Sequence, residues 1–320
     1  MTVTVLSGGV GAARFLRGLL AAVPAETVTA IVNTGDDTVL HGLAISPDLD
    51  TITYTLAEAI DLERGWGLAG ETWNAMEALQ RYVHVRPPGS SAAPTWFNLG
   101  DRDLATHFYR TARLAEGASL TDVTAEIARA WGLALSVVPM TDDRFRTVVT
   151  LADDGERVSF QDYFVRLRHS VAVAEVRFEQ DEARPTPQTL AGLTQADLVV
   201  IAPSNPLVSI GPIRALPQVD ELLGDRRDSV VAVSPIVGGA ALKGPADRML
   251  RELGMEPSVV GVARLYAPIA AALVVDPVDA HLKNRVEAAG MRCIVEPSVM
   301  SDLERARALA MACIAAVRRP

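Results

Sequence analysis

The first thirty residues of the chain constrain its fold more than any other segment. A β-branched apolar run at residues 2–6 passes into a glycine cluster, LSGGVGAARF at residues 6–15. A helical pattern follows from about residue 12 to residue 22, and then a second apolar run at 27–32. Strand, glycine turn, helix and strand in that order make a βαβ unit, and parallel strands joined by such crossovers build sheets buried on both faces. Similar runs return at residues 198–202 (LVVIA), 229–233, 259–262, 272–275 and 292–295, each beside a helical stretch. The second half is therefore also expected to be parallel α/β. Between the halves, residues 50–132 carry mostly helical patterns interrupted by PPGSSAAP at 87–94. Residues 135–177 read as short strands with a turn at Asp153–Gly155. The expected architecture is α/β: a Rossmann-like, doubly wound, mostly parallel sheet assembled from residues 1–59 and 190–320. Residues 60–189 would form an inserted helical cap and a small strand excursion, the whole chain acting as one catalytic unit. The stretch EQDEARPTPQ at 179–188 reads as an exposed linker.

Charge limits the partners. With 39 acidic against 30 basic residues the net charge is −9, which argues against sequence-blind nucleic-acid binding. Any anion must be bound locally. Only Lys243 and Lys283 are lysines, so nearly all positive charge is guanidinium, suited to phosphate and carboxylate; a GC-rich genome gives the same usage. Cys293 and Cys313 lack metal-ligand spacing and read as reduced core residues of a cytoplasmic protein. The N-terminus carries no charged segment ahead of an apolar stretch, and the apolar tail at 308–317 is too short to cross a bilayer. Neither a leader nor a membrane partner is expected.

Six motifs carry polar chemistry. Gly8, Gly9 and Gly11 open the first helix, where N–H groups and the helix dipole favour an anion; a tight turn without a ligand is the alternative. Their spacing is neither GxGxxG nor a Walker A loop. After the second strand comes VNTGDD at 32–37. Asn33 and Thr34 offer hydrogen bonds, while Asp36 and Asp37 stand where open α/β sheets place ligands. In ISPDLDT, at 45–51, Asp48 and Asp50 flank a leucine; one of them caps a helix, or both join the Asp36–Asp37 pair. Clustered carboxylates repel unless a cation or a hydroxyl satisfies them, and hard oxygen ligands suit Mg2+ with substrate phosphates. The set Asp36, Asp37, Asp48 and Asp50 is thus the expected metal site. In LGDRDLATH, Arg102 either pairs with its neighbours on a solvated face or receives a diphosphate. The loop APSNPLVSIGPI contributes Ser204, Asn205, Ser209 and Gly211 after a strongly apolar strand. A further glycine-rich loop after the 229–233 run carries Lys243. The five histidines are scattered without assigned partners. Trp66 and Trp96 make either an aromatic wall for a planar ring or ordinary core.

Taken together, SGGVGAARFLRGL, VNTGDD, ISPDLDT, RGWGL, LGDRDLATH, MTDD, FQDYFVR, APSNPLVSIGPI and VSPIVGGAALKGPA closely resemble the CofD/FbiA transferases of coenzyme F-420 biosynthesis. The motifs run in family order from residue 6 to about residue 250. The resemblance implies a cytoplasmic, homodimeric, magnesium-dependent enzyme. Such an enzyme moves a phosphoenolpyruvyl or 2-phospho-L-lactyl group from a guanosine-diphospho donor to the ribityl hydroxyl of the deazaflavin Fo, releasing GMP. The Arg- and Ala-rich composition implies the actinobacterial subtype, with the phosphoenolpyruvyl donor and dehydro-F-420-0 as product. On that reading the donor rests on Gly8, Gly9 and Gly11, with Asn33, Thr34 and the Ser204–Gly211 loop assisting. Asp48, Asp50 and Arg102 are the expected catalytic residues, Asp50 orienting the ribityl hydroxyl. A non-catalytic nucleotide-sugar-binding regulator of the same superfold is the competing expectation. A dehydrogenase lacks both the glycine spacing and the acidic ribose hook.

Overall fold

Seven short apolar segments form one sheet: β1 (Val3–Ser7), β2 (Val28–Val32), β3 (Ser136–Pro139), β4 (Leu198–Ile201), β5 (Val230–Val233), β6 (Ala272–Val275) and β7 (Arg292–Val295). The computed structural model describes residues 1–317 apart from Gly89, Ser91 and Thr95. Two of these belong to the loop expected at 87–94, which to that extent lies outside the described residues. Every strand pairing in the sheet is parallel, in the spatial order β7-β6-β5-β4-β1-β2-β3. Alternate side chains feed two cores. In β5, Val230 and Ala232 join one, Val231 and Val233 the other. Burial on both faces explains why the strands read as unbroken apolar runs rather than as alternation. This is the Rossmann-like, doubly wound sheet that the sequence led us to expect.

One apolar run departs from that expectation. Residues 259–262 are not a strand but the start of a helix, Val259–Tyr266. The Ser258 side chain accepts from the N–H groups of Val260 and Gly261, closing the first turn, and the valines are buried. A short apolar run cannot be told from a buried helix by periodicity, and here the serine cap decides. The first helix, α1 (Gly9–Leu20), likewise starts three residues earlier than its pattern indicated.

Next in the chain come α2 (Pro47–Leu56), α3 (Asn74–Val83), α4 (Asp103–Ala115) and α5 (Leu120–Ala130). An antiparallel sheet of Arg157–Ser159, Phe145–Leu151 and Val173–Gln180 follows β3. The 60–189 span therefore supplies β3 to the central sheet besides the helical and strand elements around it. The 179–188 stretch is only partly the exposed linker expected. Its first residues finish a strand, Ala183 is buried, and buried Thr186 caps the helix Pro187–Gln195.

Helix α1 and the last helix, Leu303–Val317, pack on one face of the sheet, Gly18 so close to Ala306 that a Cβ would overlap its backbone. Cys293 and Cys313 are buried and free. Among the described residues no helix is long and apolar enough to cross a membrane. Strand order reverses between β1 and β4, and loops leaving the carboxyl ends of neighbouring strands there diverge to either side, opening a crevice.

Candidate active site

A cavity of about 810 Å³ opens at that reversal, lined by residues from nearly every loop at the carboxyl edge. Gly8, Gly9, Gly11, Asp36, Asp48, Asp50, Ser204, Asn205 and Ser209 all line it. The glycines are there for space. A Cβ at Gly11 would overlap the Pro203 carbonyl, one at Gly8 would crowd Ser209 and Asp48, and Gly9 has φ +65°. Ser204 clasps the turn, its hydroxyl donating to the Gly8 carbonyl (2.7 Å) and accepting from the Gly8 N–H (3.3 Å). Asp48 stands against the same turn, its Oδ1 3.5 Å from where a Cβ on Gly9 would lie.

That carboxylate belongs to a pair. The single side-chain NH2 of Asn33, itself buried, donates to Asp36 Oδ1 (2.6 Å) and to Asp48 Oδ2 (2.9 Å). Among the described residues no side-chain cation is bonded to either acid. Burial first, then the charges of Asp48 and Asp37, raise the pKa of Asp36 well above the usual carboxylate range. Burial also lifts Asp48 to about 6, against the hydrogen bonds from Asn33 and Gly9. Asn33 acts beneath the pair rather than on the cavity surface. Thr34 is buried with its hydroxyl unpartnered, and Asp37 accepts from Ser46 (2.7 Å); neither lines the cavity.

Asp50 has a different environment. Both its oxygens accept from Arg110, Nη1 at 3.1 Å from Oδ2 and Nη2 on Oδ1, and the arginine side chain is 2% exposed. Burial opposes that charge, but Asp50 outweighs it and raises the pKa of Arg110. His107 sits between acids, 3.8 Å from Asp50 and 3.5 Å from Asp103, and Asp103 accepts from the Tyr54 hydroxyl at 2.6 Å. Burial, then the charges of Asp50 and Asp103, raise the pKa of Tyr54 and keep it a donor. Asp103, His107 and Arg110 fall at i, i+4 and i+7 of α4, one inward face. That spacing is present in the sequence, but Asp103, His107 and Arg110 were not among the expected site residues.

The four carboxylates expected to hold one metal are therefore split. Among the described residues no group of three or more His, Cys, Asp or Glu side chains is disposed around a common point. Arg110 claims Asp50 and Ser46 claims Asp37. Asp36 and Asp48 remain, two buried acids without a countercharge. That donor set fits a divalent cation which takes one or two carboxylates and completes its shell with water and phosphate. Arg102, expected in the site, is exposed and outside the lining; its Nη1 donates to the Ala69 carbonyl (2.6 Å). It precedes α4 by one residue, so helix phase carries Asp103 inward and leaves Arg102 out. Gly211 also lies away, starting a short helix beside Phe178. Asn205 shapes its loop, accepting from the N–H groups of Leu207 and Val208. Trp66 and Trp96 both line the cavity, Trp66 packed edge-on against Trp73 and Trp96 against Phe97.

The 2-phospho-L-lactate transferase CofD family model matches residues 3–316, essentially the entire described chain. The chain belongs to the CofD family. A protein of Streptomyces avermitilis named phosphoenolpyruvate transferase is 44% identical over 319 residues, with 98% of each chain covered. One of the same name from Streptomyces coelicolor is 45% identical, covering 95% of this chain and 94% of its own. The crystal structure of a UPF0052 family member from Bacillus halodurans superposes with a TM-score of 0.61 at 15% identity, covering 98% of both chains. That likeness speaks for the fold alone. The chain is thus a CofD-type transferase built on a Rossmann-like sheet.

Proposed function

We propose that this CofD-type transferase moves a phosphoenolpyruvyl group from a guanosine-diphospho donor to the ribityl hydroxyl of the deazaflavin Fo, forming dehydro-F-420-0 and GMP. The observation that carries this reading is the buried Asp36–Asp48 pair, held by one Asn33 amide directly beside the glycine turn. The names of the similar Streptomyces proteins favour the phosphoenolpyruvyl over the phospho-L-lactyl donor.

In the proposed reaction the ribityl oxygen forms a bond to the phosphorus carrying the enolpyruvyl group. The bond from that phosphorus to the bridging pyrophosphate oxygen breaks, and its electron pair leaves with GMP. The hydroxyl proton passes to a base or to water. Magnesium held by Asp36 and Asp48 would neutralise charge on the donor phosphates. Asp50 is the residue we assign to the hydroxyl, accepting its hydrogen bond and orienting it in line. Arg110 fixes that carboxylate from behind and leaves its cavity-facing edge to the acceptor. Trp66, Trp96, Phe160 and Phe164 give a planar acceptor an aromatic wall.

The test is to incubate the protein with Fo, magnesium and each guanylated donor separately, and to identify the products by mass spectrometry. A dehydro-F-420-0 mass with equimolar GMP supports the reading. Binding without turnover of any donor would replace it with the nucleotide-sugar-binding alternative.

A further inference from the structure

Among the described residues four basic side chains line the cavity: Arg14, Arg64, His107 and Lys243. Two of them are held by ion-pair contacts with acids. Arg64 pairs with Asp61 at 2.9 Å, donates to the Leu68 carbonyl at 2.8 Å, and packs over Trp66 and Trp73; His107 lies between Asp50 and Asp103. Arg14 and Lys243 make no hydrogen bond or ion pair with any described residue. Lys243 reaches across the mouth from the loop after β5, its ammonium so close to Gly65 that a Cβ there would overlap it. Burial, and then the neighbouring charge of Arg14, lower its pKa, so the two cations stand near enough to repel. Two cations without a countercharge facing one cavity raise the local potential there and favour an anion. A third group in the same lining also lacks a partner: the Ser298 hydroxyl, 4% exposed, whose backbone N–H is pinned by Asp276 at 3.0 Å.

On the transferase reading the donor carries a diphosphate and a carboxylate. The glycine turn and the Asp36–Asp48 pair account for the phosphates, and the aromatic wall accounts for the acceptor ring. We propose that Arg14 and Lys243, with the Ser298 hydroxyl, form a subsite for the donor's carboxylate. This inference rests on the function proposed above. Its geometry is that of a two-point clamp: Arg14 supplies a planar fork from α1, and Lys243 a point charge from the opposite loop. Holding the acid end there would set the orientation of the three-carbon unit relative to the phosphorus under attack.

The experiment is isothermal titration of wild type, Arg14→Gln, Lys243→Gln and the double variant with two probes, GDP and its carboxylate-bearing lactyl ester. Both side chains are exposed, so melting temperatures should not move. We expect the ester to bind wild type more tightly than GDP. Each single variant should lose about tenfold in affinity for the ester, the scale of one charge-assisted hydrogen bond, with GDP unchanged. Lys243→Arg should restore most of the loss. Equal weakening of GDP and ester would mean that the cations hold the diphosphate, and no change with either probe would mean that they hold nothing; each result overturns the subsite. If wild type binds neither probe, the functional reading falls and takes the subsite with it. Tight binding of the ester to wild type with unaltered variants would spare the function and reject the subsite alone.

Discussion

The two sides of the cavity solve opposite electrostatic problems. Over β1 and β2 the wall is acidic and densely bonded: Asp36 and Asp48 share Asn33, and Asp50, His107, Asp103 and Tyr54 are tied to Arg110 or to one another. The rest of the lining is sparse: the side chains of Arg14 on α1, Lys243 in the loop after β5 and Ser298 after β7 have no hydrogen-bond or ion-pair partner among the described residues. Bonded groups in the first wall are fixed before anything binds. Unbonded groups in the second wait for a partner. Even within the acidic wall the carboxylates divide: Asp50 has a buried cation, whereas Asp36 and Asp48 have only hydrogen bonds and each other. The difference assigns preorganised chemistry to Asp50 and ligand-dependent charge to the rest.

The largest expected effect is at Asp50. Asp50→Asn should lower turnover by about 10²–10⁴, the range for a general base or hydroxyl-orienting group. Because it strands the Arg110 charge at a buried position, it should also cost about 3–5 kcal/mol of stability. The double variant Asp50→Asn/Arg110→Met should recover much of the stability in denaturant unfolding and none of the turnover. Recovery of turnover would break the distinction between clamp and catalyst.

Asp48→Asn should also reduce turnover, yet its stability change should have the opposite sign. Asp48 has a folded pKa of about 6 against an ordinary value of 3.8. A raised carboxyl pKa contributes stability that is fully present below the unfolded value and is lost as pH rises through the folded one. The metal-free protein should therefore weaken between about pH 4 and pH 6. Asp48→Asn should melt higher than wild type at pH 8, by on the order of 2 kcal/mol, with the gain gone near pH 4. Added magnesium should narrow the gap at pH 8 by stabilising wild type. A smaller effect is expected of Trp66→Ala: an increase in KM for Fo of up to about tenfold, with kcat little changed. Smallest of all, Arg14→Gln and Lys243→Gln should leave unfolding free energies within about 0.5 kcal/mol, as befits exposed groups without partners.

How much of this was legible in the sequence depended on whether chemistry or helix phase did the positioning. The glycine turn and the acids of VNTGDD and ISPDLDT announce themselves because constrained backbone and clustered carboxylates are rare without a reason. Their division into a paired and an unpaired set was not legible, since the pairing cation, Arg110, lies 60 residues from Asp50. Arg102 drew attention because it stands in the LGDRD motif. The inward residues of that motif are set by where α4 begins, and one position of phase separates Asp103 in the wall from Arg102 in solvent. The strands were readable from their apolar runs except at residues 259–262, where a serine cap turned the same residue types into a helix.

The measurement that bears most directly on the division of labour is titration calorimetry of magnesium, in the presence of GDP at pH 8, into wild type, Asp36→Asn, Asp48→Asn and Lys243→Gln. The account expects a single magnesium site in wild type, retained in Lys243→Gln and lost in both aspartate variants. Unchanged magnesium binding after removal of either Asp36 or Asp48 would contradict it.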